Sequence, residues 1–362
     1  MNPQEQVCHN PQCWVYGRQG EGAIMIHSQR DQRYRCKRCG KTFSATKGTA
    51  LYRLHHPHAL VVIVVTLLAS GCPVQAIVAA FGLDERTVAD WQRRAGRHAA
   101  QRAPERVHGY LVQAGAVTLG QVQADELRVR AVGGVVWLAM SLSVASRLWL
   151  GGAVSATRDR ALIHAALVRV AQCGPVATLL LCTDGLRSYP RQAVRAFRQS
   201  VRTRGRGRPR LVIPDTLLIA QMVKRYAQRR VCAVERRIVR GSAAAVATVL
   251  TTTQGTQTAV INTAYIERLN ATFRARLAPL VRRSRATVRQ VATLTAGMWL
   301  VGTAYNFCTP HRSLGMHTPA QAAGLTDHRW TVHELLIFPV PLPSLKRRGR
   351  PPHWLREIPD AA

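Results

Sequence analysis

The hydrophobic pattern changes several times along the chain, and each change predicts a different kind of structure. Residues 1–54 are polar, rich in cysteine and arginine, and show no regular apolar period. Residues 58–96 carry apolar side chains at helical spacing, which predicts three helices. From residue 119 onward the pattern becomes strand-like. The chain therefore begins with a small irregular region and a helical region before a larger region that contains a sheet.

The larger region mixes strands with helices. The strand-like pattern and the turn signal at Gly133-Gly134 predict antiparallel strands at 119–132, 135–144 and 147–155. An amphipathic helix at 157–172 and a short buried strand at 177–182 follow. The remaining elements predicted are helices at 190–202, 217–229, 263–278 and 288–307 and a strand at 231–239, with Asp215 capping the second of these helices. This order is an α/β plan that matches the ribonuclease-H-like arrangement of three antiparallel strands, a helix, a parallel strand and further helices.

The same changes of pattern predict the domain organisation, in which an α/β domain follows two small ones. The predicted regions are a zinc ribbon at 1–54, an all-α helix-turn-helix domain at 55–100, a linker at 101–118, a ribonuclease-H-like domain at 119–327 with a basic insertion near 202–250, and a basic Pro-rich tail at 328–362.

The charge of the chain changes the picture of its partners. It has 362 residues with 51 Lys and Arg against 18 Asp and Glu, a net charge of +33. Such a balance favours a polyanionic partner, and nucleic acid is the first candidate. The longest nearly continuous apolar run, 59–69, is shorter than a membrane span requires. With no export signal pattern either, we expect a cytoplasmic protein associated with the bacterial nucleoid that binds double-stranded DNA and has no membrane partner.

Four of the nine cysteines have the spacing of a metal site. Cys8 and Cys13 form one pair, and Cys36 and Cys39 form a second pair 22 residues later. Two such pairs supply four thiolates for one structural Zn²⁺, and Gly40 permits the tight turn that a zinc knuckle needs. The spacing predicts zinc but not function, because zinc ribbons bind DNA, RNA or proteins.

A helix-turn-helix is predicted at 73–91. Gly82 allows the turn, Asp84 can cap the next helix, and Val88 and Trp91 return to the core. The positions left to face DNA are Arg86, Thr87, Arg93 and Arg94. A plain helical hairpin without DNA binding is the alternative.

Three acidic residues lie in distinctive settings in a region where acids are scarce. Asp125 falls within a predicted strand, Asp184 directly follows the short buried strand, and Glu267 lies on the helix at 263–278. Phosphodiester chemistry uses two divalent ions that hold the attacking and leaving oxygens, and carboxylates suit Mg²⁺. Asn270 and Arg274 share the helix face of Glu267. This constellation predicts a catalytic site with two Mg²⁺ or Mn²⁺ ions.

Each acid also has an ordinary structural explanation. Asp125 could be a solvated strand residue, and Glu126 on the opposite face is expected to be one. Asp184 before Gly185 could be a turn aspartate, and Glu267 could be a surface charge. Asp159 is interpreted as a first-turn acid of the helix at 157–172.

The residues resemble those of bacterial DDE transposases of the insertion-sequence-one type. The matching segments are 33–44 around the second cysteine pair, Asp125-Glu126, Thr183-Asp184-Gly185, Ile266-Glu267-Arg268-Leu269-Asn270 with Arg274, and 305–314. The resemblance implies that Asp125, Asp184 and Glu267 form the catalytic triad. It also implies binding of the element's terminal inverted repeats, metal-dependent cleavage and strand transfer into target DNA, and a homo-oligomer that is at least a dimer.

Two Gly-Arg-Pro segments add candidate DNA contacts. They contribute Arg206, Arg208 and Arg210 in the first segment and Arg348 and Arg350 in the second. Such segments can lie in a narrow minor groove, or they can make unspecific phosphate contacts as basic loops. The function predicted from the whole sequence is a DNA transposase. The alternatives are a DNA-binding regulator without catalysis and a metal-dependent nuclease without joining activity.

Overall fold

A computed structural model gives the fold as two compact units, Met1–Lys47 and Gly48–Val340. The residues described are 1–100, 107–112, 117–175, 177–202, 208–228, 230–255, 259–282, 286–340 and 342. Most of the linker predicted at 101–118 and residues 343–362 of the predicted tail lie outside the described residues. Each unit has its own core and is taken in turn.

The N-terminal unit is a small antiparallel sheet with cysteines in its core. Its strands are β1 (Ile24–Ser28), β2 (Arg33–Cys36) and β3 (Thr42–Ser44), paired in the order β1-β2-β3. Tyr34 and Phe43 lie opposite each other on β2 and β3 and are buried with three of the four cysteines. So few apolar side chains make a weak core, which is typical of a unit that needs a metal for stability.

The second unit begins with the three predicted helices. They are α1 (His58–Ser70), α2 (Val74–Phe81) and α3 (Glu85–Ala99). Gly82 follows α2 in the left-handed conformation, at φ 61°, and Asp84 caps α3 by accepting a hydrogen bond from the backbone N–H of Arg86 at 2.7 Å. Val88 and Trp91 are buried, as the pattern predicts. These local signals produce the turn between α2 and α3.

A mixed six-stranded sheet forms the centre of this unit. After α4 (Val107–Leu111) the strands, in chain order, are β4 (Gln121–Ala131), β5 (Gly134–Ser143), β6 (Trp149–Ser155), β7 (Leu179–Asp184), β8 (Gln199–Val201), β9 (Arg210–Val212), β10 (Leu217–Ala227) and β11 (Arg230–Arg240). The central sheet has the order β11-β10-β7-β4-β5-β6, and β8 pairs with β9 separately. The mixed α/β class is therefore confirmed.

The direction of each strand follows from the pairing. β4, β5 and β6 form the predicted antiparallel meander, and β7 lies parallel to β4 on its other side. β10 is parallel to β7, and β11 returns antiparallel to β10 at the edge. The carboxyl end of β7 therefore lies beside the middle of β4, where Gln123 pairs with Cys182.

Helices cover both faces of this sheet. They are α5 (Arg160–Cys173), α6 (Ser188–Ala196), α7 (Ala243–Gln254), α8 (Ala264–Arg276), α9 (Val291–Cys308), α10 (Pro319–Ala322) and α11 (Val332–Ile337). One cluster joins Val122 and Ala124 of β4 to α5, α6 and the first three helices. A second cluster joins Leu127 and Val129 to α8 and α9. Alternate residues of β4 thus face different layers.

Three sequence predictions about this region are wrong, and one helix was not predicted. Residues 217–229, predicted as a helix, form β10, and Asp215 lies in the turn before this strand rather than at a helix cap. The helix predicted at 190–202 ends at Ala196, and the chain then enters β8. Helix α7 was not predicted, although Ser242 caps its start and Gly255 ends it in the left-handed conformation. Asp159 also differs slightly, because it is the cap of α5 and accepts from the N–H of Leu162 at 2.9 Å.

Helix α3 packs very closely on α9. Gly96 lies against the backbone of Ala296, and a Cβ atom at position 96 would stand 2.1 Å from the Ala296 carbonyl oxygen. Any larger residue at this position would push the two helices apart. Within the described residues, none of the helices combines the length and apolar character that crossing a bilayer would take.

Candidate functional site

Four cysteine sulfurs of the N-terminal unit converge in the manner of a metal-binding site. The Sγ atoms of Cys8, Cys13, Cys36 and Cys39 all lie within 4.8 Å of one another. The separations are 3.7 Å from Cys8 to Cys39 and 3.9 Å from Cys13 to Cys36. Four sulfurs at 2.3 Å from a central Zn²⁺ stand about 3.8 Å apart at the corners of a tetrahedron. The donor set therefore fits one Zn²⁺.

The local backbone explains how the cysteines converge. Gly40 follows Cys39 at φ 70°, and its N–H donates to the carbonyl of Cys36 at 2.9 Å, which closes the predicted tight turn. His9 is not part of the sulfur cluster. Its ring instead contacts Phe43, and burial followed by the charge of Lys47 lowers the pKa of His9 to about 4.

Asp125 lies half-buried in the middle of β4. Its Oδ1 accepts a hydrogen bond from the backbone N–H of Glu126 at 2.8 Å, and its Oδ2 accepts one from Nδ2 of Asn270 at 2.7 Å. Burial raises the pKa of Asp125 to about 7, and the charges of Glu126, Asp184 and Glu267 add to this effect. A carboxylate with so high a pKa needs a nearby positive charge to ionise fully at neutral pH.

Asp184 is the last residue of β7 and faces the same cleft as Asp125. Its Oδ1 accepts from the N–H of Leu186 at 3.0 Å, which is the ordinary turn role considered from the sequence. Its Oδ2 lies 3.9 Å from Nη2 of Arg158, and 43% of its side chain is exposed. Asp184 is therefore both a turn residue and a carboxylate open to the cleft.

Glu126 differs from its prediction, because it is buried rather than solvated. One of its oxygens accepts from the Tyr189 hydroxyl at 2.7 Å, and the other accepts from Nε of Arg158 at 2.6 Å and from the Nη2 atom of the same guanidinium. Helices α5 and α6 cover this side of β4. Glu126 lies within 4.8 Å of the two aspartates and could join them at a metal, but its oxygens already have partners.

Glu267 stands in the first turn of α8, across the cleft from the aspartates. Its Oε1 accepts from Nζ of Lys224 at 2.7 Å and from the Thr263 hydroxyl at 2.9 Å. Partial burial acts to raise the pKa of Glu267, but the hydrogen bonds from Lys224 and Thr263 outweigh it and lower that pKa. Glu267 is not in the tight oxygen group that contains Asp125 and Asp184.

A cleft of about 400 Å³ connects these side chains. Its lining residues are Asp125, Arg158, Asp184, Gly185, Leu186, Met222, Val223, Lys224, Tyr226, Thr263 and Glu267. The three acids predicted from sequence therefore face one space. Carboxylate oxygens are the ligands that Mg²⁺ and Mn²⁺ prefer, so the donor chemistry of the cleft suits these ions.

Asn270 and Arg274 follow Glu267 along α8 and stand near Asp125. Asn270 is buried, and its side-chain oxygen has no hydrogen-bond partner among the described residues. Such an orphaned oxygen beside a carboxylate also suits a cation or an ordered water. Burial, then the charge of Arg282, lowers the pKa of Arg274, while Asp125 acts in the opposite direction.

The residues predicted to contact DNA differ in their exposure and in the contacts they already make within the protein. Arg86 is exposed and Thr87 half-exposed at the start of α3. Arg93 lies 3.7 Å from Asp90, and Arg94 donates a hydrogen bond to the carbonyl of Tyr52, so both are partly used by the fold. Arg208 and Arg210 are exposed at the start of β9. Arg206, Arg348 and Arg350 lie outside the described residues.

Three residues of the site were missed by sequence reasoning. Arg158 and Tyr189 bind Glu126, and Lys224 binds Glu267. Arg158 and Tyr189 carry no local signal, because their partner lies more than 30 positions away in the chain. Lys224 was missed because residues 217–229 were predicted as a helix, whereas the chain there forms the strand β10.

Comparison with known proteins gives no family for this chain. No protein-family model matches it, and no curated protein matches its sequence. The argument for function therefore depends on the residues and their geometry.

Proposed function

We propose that this chain is a DNA transposase of the DDE type, with Asp125, Asp184 and Glu267 as its catalytic acids. The observation that carries the proposal is the placement of Asp125 and Asp184 on adjacent parallel strands that open into one cleft, with Glu267 on the helix across it. This strand order, with a meander beside two parallel strands, supports a ribonuclease-H-like domain. The net charge of +33 supports a nucleic-acid partner.

The small N-terminal unit would be a zinc ribbon and α1–α3 a helix-turn-helix. The four converging sulfurs and the three short antiparallel strands support the ribbon. The left-handed Gly82 between α2 and α3 and the exposed Arg86 support the helix-turn-helix. Together these elements would hold the ends of the mobile DNA, and pairing of two ends would require at least two copies of the chain.

The acids would hold two Mg²⁺ or Mn²⁺ ions. Such ions, when bound, stabilise the attacking and leaving oxygens of an in-line displacement at phosphorus. Asn270 would orient Asp125 through its 2.7 Å hydrogen bond. The Arg158 guanidinium, held by Glu126, would keep Asp184 directed toward the cleft.

The two reactions would be one displacement with different nucleophiles. In cleavage, a water oxygen bonds to phosphorus, the bond from phosphorus to the 3′ oxygen breaks, and that oxygen leaves as a hydroxyl after taking a proton. In strand transfer, this 3′-hydroxyl bonds to a phosphorus of the target DNA, and the target's own 3′ oxygen leaves. The number of phosphodiester bonds is unchanged in the transfer step, so no high-energy cofactor is needed.

The experiment compares the wild type with Asp184→Ala in two assays. One follows nicking of a supercoiled plasmid in Mg²⁺ or Mn²⁺, and the other follows joining of a labelled oligonucleotide with a free 3′-hydroxyl to the plasmid. We expect Asp184→Ala to lose both reactions and to keep DNA binding measured by gel shift. Asp215→Ala is the matched control, because Asp215 is a fully exposed acid in a turn and does not line the cleft.

Each alternative function has its own outcome. Binding without metal-dependent nicking in the wild type would favour a regulator, and nicking without joining would favour a nuclease. Strand transfer that persists in Asp184→Ala would refute the assignment of the acids.

A further inference from the structure

Lys224 is a charged residue of the cleft to which the proposed chemistry assigns no role. It lies on β10, two positions beyond Met222, which pairs with Asp184 on β7. Side chains two positions apart on a strand share a face, so Lys224 extends the face that carries Met222 into the cleft. Its Nζ lies 2.7 Å from Oε1 of Glu267, and 32% of its side chain is exposed.

The cleft has two basic side chains to balance its acids, and they are held differently. Arg158 is fixed from behind, because Glu126 accepts from two of its nitrogens and is itself held by Tyr189. Among the described residues, the Lys224 ammonium has one hydrogen-bond partner, Glu267. The lysine is therefore the cation that can change partner without breaking a buried network.

Binding of a divalent cation would force such a change. A carboxylate that turns toward a doubly charged ion gives up at least part of its interaction with an ammonium. Two divalent ions near the aspartates would also repel a neighbouring positive charge. Lys224 would then lose its partner and keep three hydrogen-bond donors with no acceptor of its own.

A phosphate oxygen of DNA is the partner that suits a released ammonium at this place. Beyond Met222 the strand β10 pairs with β11 alone, so Lys224 lines the cleft at a position past the end of β7. The strand β11 opposite it is exposed along most of its length and carries Arg230, Arg236 and Arg237. Substrate DNA reaching the acids would pass this basic hairpin.

We propose that Lys224 is a DNA-phosphate-binding residue that Glu267 holds in reserve until a divalent metal ion takes that carboxylate. The proposal rests on the proposed function, since it needs metal at the acids and DNA in the cleft. It makes metal binding and substrate binding mutually supportive, because the ion frees the lysine that the phosphate uses.

The first test measures Mn²⁺ binding to the full-length protein without DNA, by the electron paramagnetic resonance signal of free Mn²⁺. Lys224→Met removes the competitor for Glu267, so we expect Mn²⁺ affinity to rise by about threefold to fivefold, the upper range for a partly exposed ion pair. Arg225→Met is the matched control, because it removes one positive charge from the neighbouring position, where Arg225 pairs with Glu235. Its Mn²⁺ affinity should remain close to that of the wild type.

The second test measures binding of a short fluorescent DNA duplex with and without Ca²⁺, which supports binding but not the reaction. The gain in affinity that Ca²⁺ gives the wild type should shrink by about twofold to fivefold in Lys224→Met. Arg225→Met should weaken binding under both conditions and keep the wild-type gain. Comparing gains rather than affinities separates the role of Lys224 from a general loss of charge.

The outcomes distinguish this proposal from the proposed function. Unchanged or weaker Mn²⁺ binding in Lys224→Met, or an undiminished gain with Ca²⁺, would overturn the role of Lys224 and leave the catalytic acids untouched. If Asp125→Asn and Asp184→Asn bind Mn²⁺ as tightly as the wild type does, both the role of Lys224 and the proposed function would be overturned. Thermal unfolding of each variant shows whether it is folded.

Discussion

The carboxylate of Glu126 accepts a hydrogen bond from the Tyr189 hydroxyl at 2.7 Å, although its direct neighbour Asp125 faces the open cleft. Alternation along β4 sends the two acids to different layers of the fold. Asp125 meets α8, and Glu126 meets α6 and the segment just before α5. Two adjacent acids therefore do different work, one available to ligands and one committed to the structure.

Glu126→Gln should destabilise the second unit. The Glu126 side chain is fully buried, and the amide keeps its shape but leaves Arg158 with only the more distant Asp184 carboxylate, at 3.9 Å, as a counterion. Removing one partner of a buried ion pair costs several kcal/mol, and because Arg158 is 38% exposed we expect the lower figure of about 2–3 kcal/mol. Urea denaturation followed by tryptophan fluorescence measures this change.

Two further variants set the scale for that result. Tyr189→Phe removes one hydrogen bond to the same carboxylate and should cost about 1.5–2 kcal/mol, the lower part of the range for a charged acceptor. Asp215→Asn removes an exposed acid paired with Arg240 and should change the free energy of unfolding by less than about 0.5 kcal/mol. Wild-type stability in Glu126→Gln would mean that the Arg158 pair contributes nothing to the fold.

His108 should make the second unit sensitive to acid. Its imidazole is buried between the rings of Trp149 and Trp299, at 5.0 and 5.1 Å, and burial lowers the pKa of His108 from 6.5 to about 3. Between those pH values the unfolded chain binds a proton that the folded protein does not. The free energy of unfolding should therefore fall as pH falls below 6.5, by up to about 1.4 kcal/mol per pH unit.

The test compares the pH dependence of stability in the wild type and His108→Phe. The phenyl ring cannot take a proton, so the contribution of residue 108 to the slope between pH 6 and pH 4 (both approximate working limits) should disappear. His27→Phe, at an exposed position of the N-terminal unit, should leave the slope in place. An unchanged slope in His108→Phe would show that His108 becomes protonated without unfolding. Fluorescence of the two neighbouring tryptophans reports the transition.

Removal of one cysteine of the sulfur cluster should unfold the N-terminal unit. Cys36→Ser replaces a buried thiolate donor by a hydroxyl, which is a poor zinc ligand, and the small core of the unit cannot compensate. We expect about one zinc per chain in the wild type and much less than one in the variant. Elemental analysis of the purified protein, with limited proteolysis of the first 47 residues, measures both effects.

Cys232→Ser is the matched control for the zinc experiment. Cys232 is exposed on β11 and belongs to the second unit. This variant should retain its zinc and its resistance to proteolysis. Equal zinc content in all three proteins would contradict a metal site at the four cysteines.

Elements with one apolar face and one polar face can be predicted from the sequence, because their apolar side chains recur at a regular spacing. The helices α1–α3 and the helix α8 each show a period of this kind. The meander β4–β6 was predicted although most of its residues are buried, because the Gly133-Gly134 turn separates its first two strands. β10 was misread because Leu217, Leu218, Ile219 and Ala220 are all buried, with layers on both faces. A strand covered on both faces loses its alternation, and an apolar run with a basic end then looks like a helix.

The three acids of the cleft could be located from sequence because each lies in, or at the end of, an element that the sequence predicts. Their partners could not be located, since they are fixed by packing between segments far apart in the chain. Strand alternation correctly put Glu126 on the face opposite Asp125, but it could not show that α5 and α6 cover this face. Lys224 reaches Glu267 only because β10 lies beside β7, which no local pattern reveals.

The contact of Gly96 with Ala296 joins the end of α3 to α9 without room for sliding. α9 shares a core with α8, which carries Glu267. Under the proposed function, DNA bound by the start of α3 would consequently lie at a fixed distance from the catalytic acids. Under that function, a mutation at position 96 would therefore change the position at which DNA is cut, although Gly96 is neither a DNA-binding residue nor a catalytic acid.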